Sequence, residues 1–159
     1  MAELSDLSVR DRIWFHRYRF RTSATSDAHP LEAALSSAKI ALVSSAGLHA
    51  LDDTPFKRQP GGDPGFRVIP HGADLGSLVC THPSKAWERS GVLRDVNVAL
   101  PIDRLSEMVA EGVVGSAAPR HLSIQGSITA PAPLVNQTIP EMMRVLTEDR
   151  VQAVVLTPV

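Results

Sequence analysis

The segment that most constrains the fold of this chain is a short apolar run, residues 39–47, which reads KIALVSSAG. Its apolar residues are nearly continuous rather than alternating, which is typical of a strand buried on both faces of a parallel sheet. Small residues end the run, and sheets of this kind bind ligands beyond the carboxyl ends of their strands. The run therefore predicts a central strand, with Ser44, Ser45 and Gly47 as candidate substrate-binding residues. A tight turn from strand to loop is the alternative interpretation.

Further strand and helix candidates alternate along the rest of the chain. Apolar or alternating patterns predict strands over residues 66–70, 96–100, 121–128 and 151–156. An apolar helical face begins after residue 101 and ends at Gly112, where a C-cap glycine belongs. Thr138 and Glu141 fit a capping box at the start of another helix. This alternation predicts an α/β fold with a parallel, Rossmann- or flavodoxin-like sheet and flanking helices, incomplete at its C-terminus.

Composition divides the chain into residues 1–30 and residues 31–159. Residues 4–20 show helical spacing, with Ser5 and Asp6 as candidate caps. We therefore predict an amphipathic N-terminal helix or arm with a polar linker, followed by the α/β domain. Arginines interleaved with aromatic rings in the arm can bind single-stranded nucleic acid. The formal net charge of −1 favours instead an arm whose rings pack on the domain or on a partner.

The cysteine content and the N-terminus bear on the compartment. Cys80 is the single cysteine, so the chain cannot form an internal disulfide, which suits a reducing environment. No apolar run approaches the roughly 20 residues that cross a bilayer. The N-terminus has acidic residues at Glu3 and Asp6 and lacks the apolar core of a signal peptide. We predict a cytoplasmic protein that binds neither nucleic acid nor membrane.

Cys80 and His82 lie two residues apart and form another candidate site. The pair could share a metal ion, but a zinc site needs three or four ligands. His49 and His71 could join the pair as further ligands, although nothing in their spacing requires it. Cys80 would act as a nucleophile only with His82 positioned as its base. An ordinary loop is the favoured interpretation, and no metal site is predicted.

Six short segments share an order that is found in a known family. They are residues 43–47, 62–70, 97–105, 115–121, 125–126 and 155–159. This set resembles the selenoprotein B family of glycine, sarcosine and betaine reductases and D-proline reductase, from about residue 39 to Val159. One departure lies in residues 83–90, PSKAWERS, where the family tends to have an acidic, aromatic context. The choice among the four substrates is therefore left open.

The resemblance implies both a reaction and a missing nucleophile. In that family a catalytic selenocysteine, or a cysteine in some members, directly follows a strand like residues 154–159. Because selenocysteine is encoded by UGA, the resemblance implies that the chain is truncated directly after Val159 and is inactive as it stands. The implied reaction is reductive C–N cleavage in an amino acid or its N-methylated derivative, with partner reductase subunits and a thioredoxin-like dithiol donor. The alternative is a non-catalytic binding or interaction subunit of the same fold.

Arg120 and His121 are the supporting candidates for that reaction. They lie in a Pro-Arg-His turn that enters a predicted strand. An arginine fork could hold a substrate carboxylate through two hydrogen bonds, and a histidine could donate a proton to a leaving amine. The alternative is a salt-bridged arginine and a hydrogen-bonded histidine at a strand edge.

Overall fold

The structure, a computed structural model, describes residues 4–18, 29–84, 87 and 89–159. The chain forms two compact units, Met1–Pro30 and Leu31–Val159. Most of the predicted linker and the end of the predicted arm lie outside the described residues. In the described part of the chain, no helix is long and apolar enough to span a membrane.

The N-terminal unit contains a helix that begins later than the sequence pattern predicts. A 3-10 turn (Leu4–Asp6) precedes α1 (Val9–Arg17). The hydroxyl oxygen of Ser8 accepts a hydrogen bond from the backbone N–H of Asp11 at 3.2 Å. Ser8 therefore caps α1 in place of the two predicted residues, because its oxygen reaches an unpaired amide of the first turn.

The C-terminal unit is built around one central strand. Its elements are β1 (Lys39–Ser44), β2 (Leu48–His49), β3 (Phe66–Pro70), β4 (Val79–Cys80), α2 (Ser90–Arg94), α3 (Ile102–Ala110), β5 (Ser116–Ala117), β6 (Arg120–Ile124), α4 (Ile139–Glu148) and β7 (Ala153–Thr157). Strand β1 pairs in parallel with β7 along one side and with β5 and then β6 along the other. Strand β3 pairs with β6 in the antiparallel direction, and β2 and β4 form a separate antiparallel pair. The predicted α/β fold is confirmed, although β3 makes the sheet mixed rather than purely parallel.

Helices cover both faces of β1, which explains its continuous apolar run. On one face, Ile40 and Leu42 join a buried cluster that contains residues of α3. On the other face, Ala41 and Val43 join a second cluster that contains residues of α4. Since successive side chains of a strand point to opposite faces, each residue from 40 to 43 faces one of the two cores. The central position predicted for this strand is therefore found.

Residues 96–100, predicted as a strand, form a 3-10 turn (Val96–Val98) instead. The carboxylate of Asp95 caps the turn by accepting the N–H of Asn97 at 2.9 Å. The side chain of Asn97 donates to Asp103 at 2.8 Å and accepts the backbone N–H of Asp103 at 3.0 Å. These side-chain bonds satisfy the local backbone and override the strand preference of the valines. The strand prediction for this segment was wrong.

The helix before β7 begins earlier than predicted. Thr138 is predicted as its N-cap, but Thr138 has helical φ and ψ of −72° and −44° and makes no capping bond. A π-helical turn (Leu134–Thr138) leads directly into α4, so the capping box does not form.

The glycine predicted to follow α3 is found just past the end of that helix. Gly112 has a φ of +73°, which glycine adopts without strain.

We expect Gly115→Ala to destabilise the protein. A Cβ atom at Gly115 would overlap backbone atoms of Ser37 and Ala38. Overpacking of this kind costs about 1–3 kcal/mol, which urea denaturation would measure. Gly72→Ala is the matched control, because Gly72 is exposed and has open space where its Cβ would lie. Equal effects of the two substitutions would refute the steric argument.

Candidate functional site

The carboxyl ends of β1, β6 and β7 meet at one edge of the sheet, which we call the carboxyl edge. Ser45 follows β1, and its hydroxyl oxygen accepts a hydrogen bond from the backbone N–H of Val159 at 3.0 Å. The N–H of Gly126, just after β6, donates to the carbonyl of Ser45 at 2.8 Å. Ser45 therefore connects the ends of all three strands.

Ser44 and Gly47, the other predicted substrate-binding residues, shape the turn after β1. The hydroxyl oxygen of buried Ser44 accepts the N–H of Ala46 at 3.2 Å. Gly47 has a φ of +66°, and a Cβ at this position would press against the backbone of His82. The structure brings the three predicted residues together at the carboxyl edge. Their contact with a substrate stays a prediction.

Gln125, directly after β6, ties two loops to the carboxyl edge. The side chain is 1% exposed. Its carbonyl oxygen accepts the N–H of Asp63 at 3.2 Å, and its amide nitrogen donates to the carbonyl of Thr81 at 3.2 Å. The carboxylate of Asp63 in turn accepts the N–H groups of Lys57 at 2.7 Å and Gly65 at 2.8 Å. One buried amide thus positions both loops.

A solvent-open groove, which we call the edge groove, lies between these two loops. It consists of two adjoining depressions of about 290 and 540 Å³ that share lining residues. The residues that line the edge groove include Arg58, Pro83, Ser84, Trp87, Arg89, Gln125 and Ser127. Because the groove is open, a small molecule reaches it without any movement of the loops.

A buried histidine lies beside the edge groove. His82 is 2% exposed, and its Nδ1 accepts the N–H of Ser84 at 3.2 Å, which leaves the proton on Nε2. This Nε2 lies against Gly126 and has no hydrogen-bond partner among the described residues. Burial, and secondarily the charge of Arg89, lower the pKa of His82 below 6.5, so the ring is neutral at pH 7. Buried donors without partners are rare, and Gly126 covers this one from the side of the edge groove.

Cys80 and His82 are each bonded to the backbone rather than to one another. The thiol of Cys80 donates to the carbonyl of Ala46 at 3.2 Å, whereas the His82 ring packs edge-on against Trp87, with 4.8 Å between ring centroids. In the described ranges, no three side chains of the metal-ligating types converge. The geometry therefore adds no support for a metal site or for a base beside the thiol.

Arg120 lies at the amino end of β6, about 13 Å from the carboxyl edge, since about 3.3 Å separates successive strand residues. Its Nε and Nη2 donate to the two carboxylate oxygens of Asp149, each at 2.8 Å, and Nη2 also reaches Glu148 at 3.2 Å. The bonds from Arg120 lower the pKa of Asp149. The fold thus gives Arg120 a partner on α4, and its predicted role at a substrate carboxylate stays a prediction.

His121 is fully buried and forms the centre of a hydrogen-bond chain. Its Nδ1 accepts the N–H of Leu42 at 3.1 Å, so its Nε2 carries the proton and donates to Nδ1 of His71 at 3.0 Å. Nε2 of His71 donates to the hydroxyl of Ser106 at 3.2 Å, which donates to the carbonyl of Ile102 at 2.9 Å. Burial, and secondarily His71, lower the pKa of His121 to about 4. His121 is therefore neutral at pH 7, and its predicted proton donation stays a prediction.

The sequence reasoning missed the residues that form the edge groove. Arg58 and Arg89 lie in separate loops and belong to no recognisable motif. Gln125 belongs to one of the six resembling segments but has no role assigned from the sequence. One signal was available for it: a polar residue directly after a buried strand lies where α/β sheets bind ligands.

The fold and the site together define a class of protein. This is an α/β protein whose central parallel strands bring small and polar residues to one edge, the place where such proteins bind their ligands. The sequence model of the glycine/sarcosine/betaine reductase selenoprotein B family matches residues 15–159. The chain belongs to this family, which confirms the resemblance found in its six segments.

A curated relative of the chain is the D-proline reductase subunit gamma of Acetoanaerobium sticklandii. The two sequences are 32% identical over 128 residues, which make up 80% of this chain and 51% of the relative. The chain therefore spans about half the length of the curated relative that it matches. No solved structure matches the chain.

We expect the stability of the protein to fall as the pH decreases from 6.5 to about 4. The unfolded chain protonates His121 near its ordinary pKa of 6.5, whereas the folded chain holds this pKa at about 4. Acid therefore favours the unfolded state, by at most about 3 kcal/mol. Thermal unfolding at a series of pH values measures the effect. His121→Asn cannot titrate and should flatten the slope, so an unchanged slope in this variant would count against the assignment.

We expect Gln125→Glu to weaken the attachment of the two loops. A carboxylate can still accept from Asp63 but cannot donate to Thr81, and a buried partner left unpaired costs about 1–3 kcal/mol. Denaturation at pH 7 measures the loss. Gln152→Glu is the control, because the side chain of Gln152 only accepts, from the N–H of Lys39 at 2.9 Å. If both variants are equally stable, the bridge through Gln125 has no energetic importance.

Proposed function

We propose that this chain forms the N-terminal α/β part of a selenol- or thiol-dependent reductase. In this proposal the enzyme reductively cleaves the C–N bond of an α-amino acid or of its N-methylated derivative. Glycine, sarcosine, betaine and D-proline, which appear in the names of the family and of the relative, define the substrate class. The nucleophile, a selenocysteine or a cysteine, directly follows Val159.

The observation that supports this proposal is the convergence of three strand ends at Ser45. Strand β7 leads to Val159, whose N–H donates to Ser45 at 3.0 Å. A reactive group placed after Val159 lies at the edge where α/β proteins hold their reacting groups. Membership of a reductase family supplies the type of reaction.

The reaction requires an ionised nucleophile. Selenols are more acidic than thiols, so a selenolate is present at neutral pH, whereas a cysteine would need a lowered pKa. The nucleophile attacks the carbon that bears nitrogen: a C–Se or C–S bond forms, the C–N bond breaks, and the amine leaves with a proton. A dithiol then supplies two electrons and becomes a disulfide, while a C–H bond replaces the bond to the nucleophile.

The residues of this chain serve the reaction by positioning. Ser44, Ser45 and Gly47 have small side chains, which let a substrate approach the backbone at the end of β1. Arg120 and His121 hold the opposite end of β6, and we assign them the role of fixing that strand. This assignment follows from the partners that both side chains have in the fold.

The proposed enzyme works with other proteins. The name of the relative describes a subunit, which supports an assembly with partner reductase subunits. A carbonyl group on one partner holds the substrate amine, and a thioredoxin-like protein supplies the dithiol. We place the assembly in the cytoplasm, where a reducing environment keeps that dithiol reduced.

We expect the gene to continue in frame beyond codon 159, with a UGA codon followed by further coding sequence and a selenocysteine insertion hairpin. DNA sequencing tests this directly. The full gene product, with its partner subunits and a dithiol, should release amine from at least one of the four substrates. Replacement of the nucleophile by alanine should reduce the rate at least about 1,000-fold. Cys80→Ser is the matched control and should keep the rate, since its thiol is bonded to a backbone carbonyl.

Two outcomes would contradict the proposal. A UAA or UAG codon after codon 159, with no coding sequence behind it, would favour a non-catalytic binding or interaction subunit. Loss of activity in Cys80→Ser, together with normal activity after replacement of the expected nucleophile, would move the reactive group to β4.

A further inference from the structure

We propose that the edge groove is a carboxylate-binding subsite, in which the guanidinium groups of Arg58 and Arg89 hold the carboxylate of an amino-acid-like substrate. The substrate class rests on the proposed function, since glycine, sarcosine, betaine and D-proline all have a carboxylate on the carbon that bears nitrogen. The two arginines come from the structure alone, because their loops are brought together only by the fold.

The position of the edge groove fits this role. Gln125 and Ser127, which flank Gly126, line one end of it. The N–H of Gly126 donates to the carbonyl of Ser45 at 2.8 Å, and the hydroxyl of Ser45 accepts the N–H of Val159 at 3.0 Å. Two hydrogen bonds thus join the groove to the end of β7. The reacting carbon of an α-amino acid is bonded to its carboxylate, so the proposed nucleophile requires a carboxylate subsite near the end of β7, to which these bonds connect the groove.

The charges in the edge groove favour an anion. Nη2 of Arg89 donates to the carbonyls of His82 and Ser84, the latter at 2.9 Å. Carbonyls satisfy these donors and hold the guanidinium in place, but they do not cancel its charge. Across the described ranges, neither Arg58 nor Arg89 forms an ion pair, in contrast to Arg120, which binds Asp149. An arginine fork held in position with its charge unpaired is the arrangement that binds carboxylates well.

One other group of the groove fits the nitrogen end of such a ligand. The indole of Trp87 lines the same depression as Arg89, and aromatic rings attract alkylated ammonium groups. The groove therefore offers guanidinium groups for the carboxylate and an aromatic surface for the nitrogen end.

Calorimetric titration of the full gene product tests the subsite. Each of the four substrates is compared with a counterpart that lacks the carboxylate: choline for betaine, and the amide for glycine, sarcosine and D-proline. For the substrate that binds, the counterpart should bind at least about tenfold more weakly. Arg58→Gln should raise the Kd of that substrate by about 10- to 100-fold, because it removes charge-assisted hydrogen bonds.

The choice of variants separates binding from folding. Arg58 is exposed, so its replacement leaves the core intact. Arg89→Lys keeps the charge but loses the fork, and should raise the Kd as well. Arg144→Gln is the matched control: it removes the same charge from an exposed position on α4, where Arg144 pairs with Glu148 at 2.8 Å, and the Kd should not change.

The outcomes distinguish this subsite from the reductase function. Equal binding of a substrate and its counterpart, or equal Kd values for Arg58→Gln and Arg144→Gln, would overturn the subsite even in an active reductase. Binding of inorganic phosphate without binding of any of the four carboxylates would also overturn it. Carboxylate-selective binding that depends on Arg58 would uphold the subsite even if the gene lacked a nucleophile.

Discussion

The fold depends on how its central strand satisfies the backbone on both sides. Strand β7 pairs with β1 without interruption. On the other side of β1 the hydrogen-bond ladder breaks between β5 and β6, because the segment from β5 to β6 has two more residues than the stretch of β1 that it faces. Pro119 lies in the break and has no N–H to contribute. The ring of His121 fills the gap by accepting the N–H of Leu42 at 3.1 Å. Without it, a buried amide would lose its partner, at a cost of about 1–3 kcal/mol.

Elements with one dominant apolar pattern could be predicted from the sequence. Strand β1 is such a case, because burial on both faces leaves a nearly continuous apolar run. Residues 96–100 also look like a strand, but the carboxylate of Asp95 and the amide of Asn97 bond the local backbone into a turn. A hydropathy pattern does not reveal such side-chain hydrogen bonds. The hydropathy pattern does not reveal the break before β6 either, since His121, which fills it, bonds to Leu42, 79 residues away.

Strand direction decides which candidate residues meet. Ser45 directly follows β1, so the rule for parallel sheets correctly places it at the carboxyl edge. Arg120 and His121 begin β6, so the same rule places them at the other edge, whatever chemistry their side chains could perform. The edge groove could not be predicted in this way. Its arginines, Arg58 and Arg89, lie in separate loops that the buried amide of Gln125 helps to attach to the sheet.

The two edges of the sheet differ in how fully their polar groups are paired. At the amino edge, the chain through His121 ends on a carbonyl, and the fork of Arg120 is filled by Asp149. At the carboxyl edge, Arg89 bonds to carbonyls and forms no ion pair with another described residue, and Nε2 of His82 has no partner among the described residues. Unpaired buried donors and uncompensated charges both cost stability. This contrast supports the subsite proposed at the carboxyl edge, whereas the paired groups of the amino edge hold the sheet together.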